Sequence, residues 1–229
     1  MGEGVEELLV RVSKEHWTDD RTCVRRPCAI EEWFRPNGSR HRPNGLPAIT
    51  VRDVETSEII REEYWEHGQR HRWDKPAIVH KGDEEERLEW HVRGQRHRDS
   101  EPSILETHVA TGIVLQESWH RHGKLFRPGG GLANFCRVYD DELDMITEEI
   151  WLDDQGRFHN EDGPAELVRD TLDGIVTLER WCLHGEPHRN RADGAALIQR
   201  NLFGQIKRSE FFENGQPVSE TQPLIVPSL

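Results

Sequence analysis

The chain has 229 residues, 34% of them hydrophobic; even with glycine counted in and tyrosine out this stays below the roughly 45–50% of an ordinary globular domain, so its core must be thin. Eight Trp and seven Phe supply much of the apolar area, and 43 acidic against 30 basic residues give a net charge of −13, which excludes a basic footprint for nucleic acid or anionic lipid. No stretch approaches the roughly 18 apolar residues of a membrane-spanning helix.

The N-terminal stretch MGEGVEELLVRVSKEH has neither the basic region nor the apolar run of a signal peptide. Cys23, Cys28, Cys136 and Cys182 form no CxxC pair and no metal-finger spacing. A reduced, cytoplasmic protein without metal or cofactor is expected. Residues 1–30 form a terminal cap in which Pro27-Cys28-Ala29-Ile30 reads as the tail of a degenerate repeat.

From residue 31 a pattern sets in: an aromatic, a glycine four or five residues on, and a histidine three after that. It runs Phe34-Gly38-His41, Tyr64-Gly68-His71, Trp90-Gly94-His97, Trp119-Gly123-Phe126, Trp151-Gly156-His159, Trp181-Gly185-His188 and Phe211-Gly215-Val218, with glycines 26 to 33 residues apart. Pro-Ala or an equivalent follows, as in Pro47-Ala48, Pro76-Ala77, Pro102-Ser103, Pro164-Ala165 and Ala195-Ala196. Alternating β-branched residues after the Pro-Ala predict strand, turn, strand in each unit, and the glycine suits a tight turn with positive φ. One hairpin cannot bury its aromatic alone, but stacked hairpins can. The expectation is an all-β chain of about seven tandem hairpin units over 31–215, forming a long twisted sheet or open solenoid. Residues 216–229 follow as an edge strand and tail, blunted by Pro223 and Pro227.

The pattern W-x-x-x-G-x-x-H-R-x-x-G-P-A resembles the variant MORN-type repeats of bacterial, phage and giant-virus proteins, and WLDDQGRFHNEDGPAEL, residues 151–167, is the closest copy. The resemblance spans about residues 31 to 226. It implies a β-hairpin scaffold for protein or lipid contact, and some such proteins are labelled antitoxin-like.

The dipeptide His-Arg recurs at 41–42, 71–72, 97–98 and 188–189. A catalytic base is needed once, in one tuned environment, so the repetition reads as packing: the imidazole closes its turn, and the guanidinium pairs with Glu32, Glu62, Glu117, Glu149 or Glu179. His67 with His71 and His184 with His188 have the i,i+4 spacing of metal ligands on a helix, but these segments are turns, and no third ligand joins His120 and His122. The acidic run 83–86 reads as a hairpin loop. No G-x-S-x-G, H-E-x-x-H or phosphate-binding loop occurs, and Cys136 and Cys182 read as small apolar groups.

One unit abandons the pattern. In FRPGGGLANF, residues 126–135, Phe126 replaces the histidine and three glycines precede Leu132, with the acidic stretch 140–154 beyond. A structural bend is the plain reading and a partner-binding break the other. With 25 arginines against 5 lysines, the expected function is non-enzymatic capture of another protein, with no nucleic-acid or membrane partner. Trp73, Arg72 and Arg98 are the candidate contact residues, joined at the break by Phe126, Arg127, Asp140 and Asp141. The alternatives are an acidic immunity or antitoxin-type inhibitor that mimics nucleic acid, and an enzyme with its site at 126–144.

Overall fold

The computed structural model describes residues 7–18, 25–140 and 142–218. The chain divides into two units, Met1–Leu125 and Phe126–Leu229. Among its described residues the first carries eight long strands, each antiparallel to the next of them in sequence order: Leu9–Thr18, Arg25–Phe34, Ile49–Asp53, Ile59–Glu63, Ile78–Lys81, Glu85–Glu89, Ile104–His108 and Val114–Ser118. The second carries six in the same manner: Gly131–Tyr139, Asp144–Leu152, Glu166–Arg169, Val176–Arg180, Leu197–Arg200 and Ile206–Glu210. Neither run closes into a barrel, and the all-β, hairpin-built fold expected from the sequence is what forms. Among the described residues the helical content is a single 3-10 turn, Arg191–Asp193, and no helix is long and apolar enough to cross a membrane.

Each pair of long strands is followed by a short arm. Five arms are two-residue hairpins, such as Trp65–Glu66 against Gln69–Arg70 and His91–Val92 against Gln95–Arg96. Their turns place two consecutive residues at positive φ: His67 (50°) and Gly68 (78°), Arg93 (50°) and Gly94 (79°), and likewise at 122–123, 184–185 and 214–215. Two left-handed residues in a row define the turn that matches the twist of a tight hairpin. The glycine is the half that the sequence predicts; the residue before it varies among His, Arg and Asn. The arms after Trp33 and Trp151 are one residue longer and close through the isolated bridges Phe34–Arg40 and Leu152–Phe158.

The core lies where an aromatic meets the next Pro-Ala. Ala48, Ala77, Ser103, Ala133 and Ala165 are completely buried and Ala196 nearly so. In matching positions the aromatic amide donates to the small residue's carbonyl: Trp33 to Ala48, Tyr64 to Ala77 and Trp90 to Ser103 at 2.8 Å, Trp151 to Ala165 at 2.8 Å, and Trp181 to Ala196 at 2.7 Å. Only a small side chain lets the backbones approach so closely under a ring. The first anchor is therefore Trp33, a correction to Phe34: it is Trp33 whose carbonyl receives the His41 amide at 3.1 Å.

Two further expectations change. The acidic run is not all loop, because Glu85 and Glu86 belong to the strand Glu85–Glu89 and Glu85 is buried. In the break, Gly129, Gly130 and Gly131 all sit at positive φ (79°, 77° and 106°) and feed the long hairpin Gly131–Tyr139 with Asp144–Leu152, which is bulged at Leu132/Asn134 and Cys136/Arg137. The C-terminal prolines at 223 and 227 lie outside the described residues.

Candidate functional site

The repeated histidine acts on its neighbour's turn rather than on its own. Its Nδ1 accepts the amide of the left-handed residue in the following arm: His67 N to His41 (3.3 Å), Arg93 N to His71 (3.0 Å), His122 N to His97 (3.3 Å), His184 N to His159 (3.2 Å) and Asn214 N to His188 (3.0 Å). The glycine after each of these residues donates to the preceding arm as well, for example Gly68 N to Arg40 O at 2.9 Å and Gly94 N to Arg70 O at 2.8 Å. Each of these five arms thus leans on the histidine of the unit before it. Where the turn residue is itself histidine the two rings stack, at 5.1 Å for His41–His67, 4.4 Å for His97–His122 and 4.2 Å for His159–His184.

This arrangement accounts for Phe126. The arm that follows it is one of the longer type, in which the Asp153 carboxylate caps its own turn by accepting the amides of Gln155 (3.0 Å) and Arg157 (2.9 Å). No left-handed amide awaits a histidine there, and the position is free to be apolar. Removing a histidine that does have such an amide leaves a donor unpaired. His71→Ala is expected to cost about 1–2 kcal/mol in urea unfolding, whereas Phe126→His should gain nothing.

The arginine of the dipeptide corrects the expected ion pairing only in part: Arg42 does meet a carboxylate, Glu31 at 3.2 Å, and Arg98 meets Glu101, but neither is one of the glutamates expected. Its guanidinium lies on the aromatic of its own unit: Arg42 on Trp33 (4.2 Å to the ring centroid), Arg72 on Tyr64 (3.7 Å), Arg98 on Trp90 (3.9 Å) and Arg189 on Trp181 (3.9 Å). From there it donates to the carbonyl that opens the next strand, at Pro47 (3.2 Å), Pro76 (3.3 Å), Pro102 (3.2 Å) and Ala195 (3.1 Å). The glutamates assigned to it mostly take other donors: Tyr64 Oη gives to Glu62 (3.2 Å), Trp119 Nε1 to Glu117 (2.6 Å) and Trp181 Nε1 to Glu179 (3.4 Å), while Arg169 meets Glu149 at 3.3 Å.

A second set of carboxylates is buried one residue before the aromatic; Glu32 is among the partners expected from the sequence, whereas Glu63 and Glu89 are not. Glu63 takes Arg61 at 2.8 Å, Arg70 at 3.1 Å and the Trp65 indole N–H at 3.0 Å. Glu89 takes Arg87 at 2.9 Å, Arg96 at 3.3 Å and His91 at 3.1 Å, and Glu32 is held by Arg11 and Arg40. Burial alone raises a carboxyl pKa, but the paired guanidiniums at Glu32 and Glu63, and at Glu89 the His91 hydrogen bond followed by the guanidiniums, outweigh it and hold all three below the ordinary glutamate value. The legible signal was Arg-x-Glu at 61–63 and 87–89, since strand residues two apart share a face.

Against this framework Trp73 stands out. It is 65% exposed, with its ring edge-on to His71 at 5.0 Å. On one side is a hollow of about 150 Å³ lined by Leu46, Tyr64, His71 and Arg72; on the other a hollow of about 220 Å³ lined by Asp74, Trp90, Val92 and Arg98. Trp73 forms the wall between them, so Trp73, Arg72 and Arg98 come together. Both arginines are engaged within the chain, which leaves the indole as the exposed element of the trio.

The remaining candidates, all in the second unit, do not assemble. Arg127 donates to Leu132 O at the start of the strand Gly131–Tyr139, and Asp140 lies past its far end, roughly 25 Å away at 3.3 Å per residue. There the Asp140 carboxylate caps a turn through the amides of Glu142 and Leu143, both at 2.8 Å. Asp141 lies outside the described residues. Cys28 and Cys182 are buried; burial pushes the Cys182 thiol up to about 11.

No protein-family model, curated protein or solved structure matches this chain.

Proposed function

We propose that the chain is a non-enzymatic, MORN-like repeat scaffold that captures another protein through the face around Trp73. One observation carries the reading: a tryptophan 65% exposed, outside the anchor column, dividing two hollows. A large ring between concave surfaces, with guanidiniums nearby, is the composition of interface hot spots. Arg72 and Arg98 are held in place on Tyr64 and Trp90, so little side-chain entropy remains to be lost when a partner docks. The net charge of −13 argues against nucleic-acid or anionic-lipid partners, and a cytoplasmic setting fits the described cysteines, which are free thiols, Cys28 and Cys182 being buried.

The test is capture from native lysate by immobilised wild-type chain and by Trp73→Ala. The variant is expected to keep its cooperative unfolding and to lose about 2 kcal/mol of binding to whatever the wild type retains, roughly thirtyfold. Loss of cooperative unfolding would instead make Trp73 part of the fold. The acidity supports a second reading, an immunity or antitoxin-type inhibitor that offers carboxylates to a basic groove. Capture abolished by moderate salt would favour that reading, because screened charge pairs weaken steeply while buried aromatic contacts do not.

A further inference from the structure

The outer edge of the first unit is the ten-residue strand Leu9–Thr18, LVRVSKEHWT, and among the described residues no strand pairs with its outer side. Its neighbour fixes which backbone groups face outward. Trp33 sends its amide to Ala48, away from the edge strand, and successive strand residues alternate sides. Glu32, Ile30 and Cys28 therefore face inward on Arg11, Ser13 and Glu15, their register partners, and Val10, Val12, Lys14 and His16 present amides and carbonyls outward. The strand contains no proline, and Leu9, Val10 and Val12 are 50%, 53% and 68% exposed. A ten-residue edge that exposes Leu9, Val10 and Val12 and has no described strand on its outer side is a template for another strand. The last strand of the second unit, Ile206–Glu210, is a poorer one, at five residues against ten.

We infer that this edge pairs with the same strand of a second copy, antiparallel across a two-fold axis. Outward residues must meet outward residues, which permits only every second register. One of these sets Arg11 against Glu15 and Glu15 against Arg11, with Leu9 against Trp17 on the same face and Val12 against Lys14 on the other. A shift by two in one direction puts Lys14 against Lys14. A shift by two in the other puts Leu9 against Glu15 and leaves Arg11 facing Ser13. The strand is self-complementary in a single register, and a two-fold contact requires that property.

Sedimentation velocity on the full chain, from micromolar to submillimolar concentration, tests this. The wild type is expected to show a monomer–dimer equilibrium. Val12→Pro removes an outward amide while sparing the inner ladder and should weaken the dimer about tenfold or more. Glu15→Arg, at an exposed position, sets arginine against arginine and should weaken it similarly without altering the unfolding curve. Mixing Glu15→Arg with Arg11→Glu should restore a dimer, because the two chains then pair oppositely charged residues at both positions. A wild type monomeric throughout, a dimer indifferent to both Val12→Pro and Glu15→Arg, or growth beyond the dimer overturns the inference.

Discussion

Glu63→Ala is expected to destabilise the first unit by about 2–3 kcal/mol, read from urea unfolding. The carboxylate is buried and receives Arg61, Arg70 and the Trp65 indole, so its removal strands two guanidiniums and an N–H. Breaking a fully buried pair costs about 3–5 kcal/mol; the smaller figure applies because the Arg70 side chain is 36% exposed and keeps part of its hydration. The same group controls acid stability. Burial raises its pKa, but Arg61 and Arg70 lower it further, and the folded value lies below the unfolded one. Its contribution is therefore complete above about pH 4.3 and lost as the pH falls through the folded value. Glu32 and Glu89 share the direction. Unfolding free energy should hold level from neutrality to about pH 5 and then drop, with a shallower drop in Glu63→Ala. Parallel acid limbs in the two proteins would mean that Glu63 is not held by its arginines.

Gly130→Ala and Gly129→Ala should part company although their backbones are alike, with φ at 77° and 79°. A left-handed alanine costs about 1–2 kcal/mol by itself, and at Gly129 nothing lies within 4 Å of an added Cβ. At Gly130 the same carbon would meet Leu152 O at 3.0 Å and the Asp153 backbone at 3.1 and 3.2 Å. Those atoms belong to the paired strand Asp144–Leu152 and its turn, and they cannot swing aside as a side chain can. The expected loss is about 1 kcal/mol at 129 and about 2–4 kcal/mol at 130, measured by thermal or urea unfolding. Equal losses would remove the close approach as the reason for a glycine at 130.

Periodicity made the anchors, glycines and Pro-Ala starts legible, because each is set by local geometry: a ring to bury, a left-handed turn, a strand's first residue. What it hid was whose partner each side chain is. His71 and Arg93 are 22 residues apart, and nothing in either unit taken alone says that the imidazole reaches into the next arm. The Arg72 guanidinium lay beside candidate carboxylates in sequence, yet a ring face and a carbonyl were nearer in space. Trp33 and Phe34 could be separated only by which carbonyl takes the His41 amide. Phe126, unexplained as a missing histidine, follows from the length of the next arm. Trp73 was visible because its sister units lack it, and its exposure is consistent with that singularity.

The claim that the recurring histidines are architecture is tested most directly by amide hydrogen exchange. The amides of His67, Arg93, His122, His184 and Asn214 sit in solvent-facing turns, where unbonded amides exchange fast. Bonded to His41, His71, His97, His159 and His188, they should be protected, and His71→Ala should release Arg93 while Asn214 stays protected. Exchange of all five at the rate of open turns, or protection of Arg93 unchanged by the substitution, would contradict it.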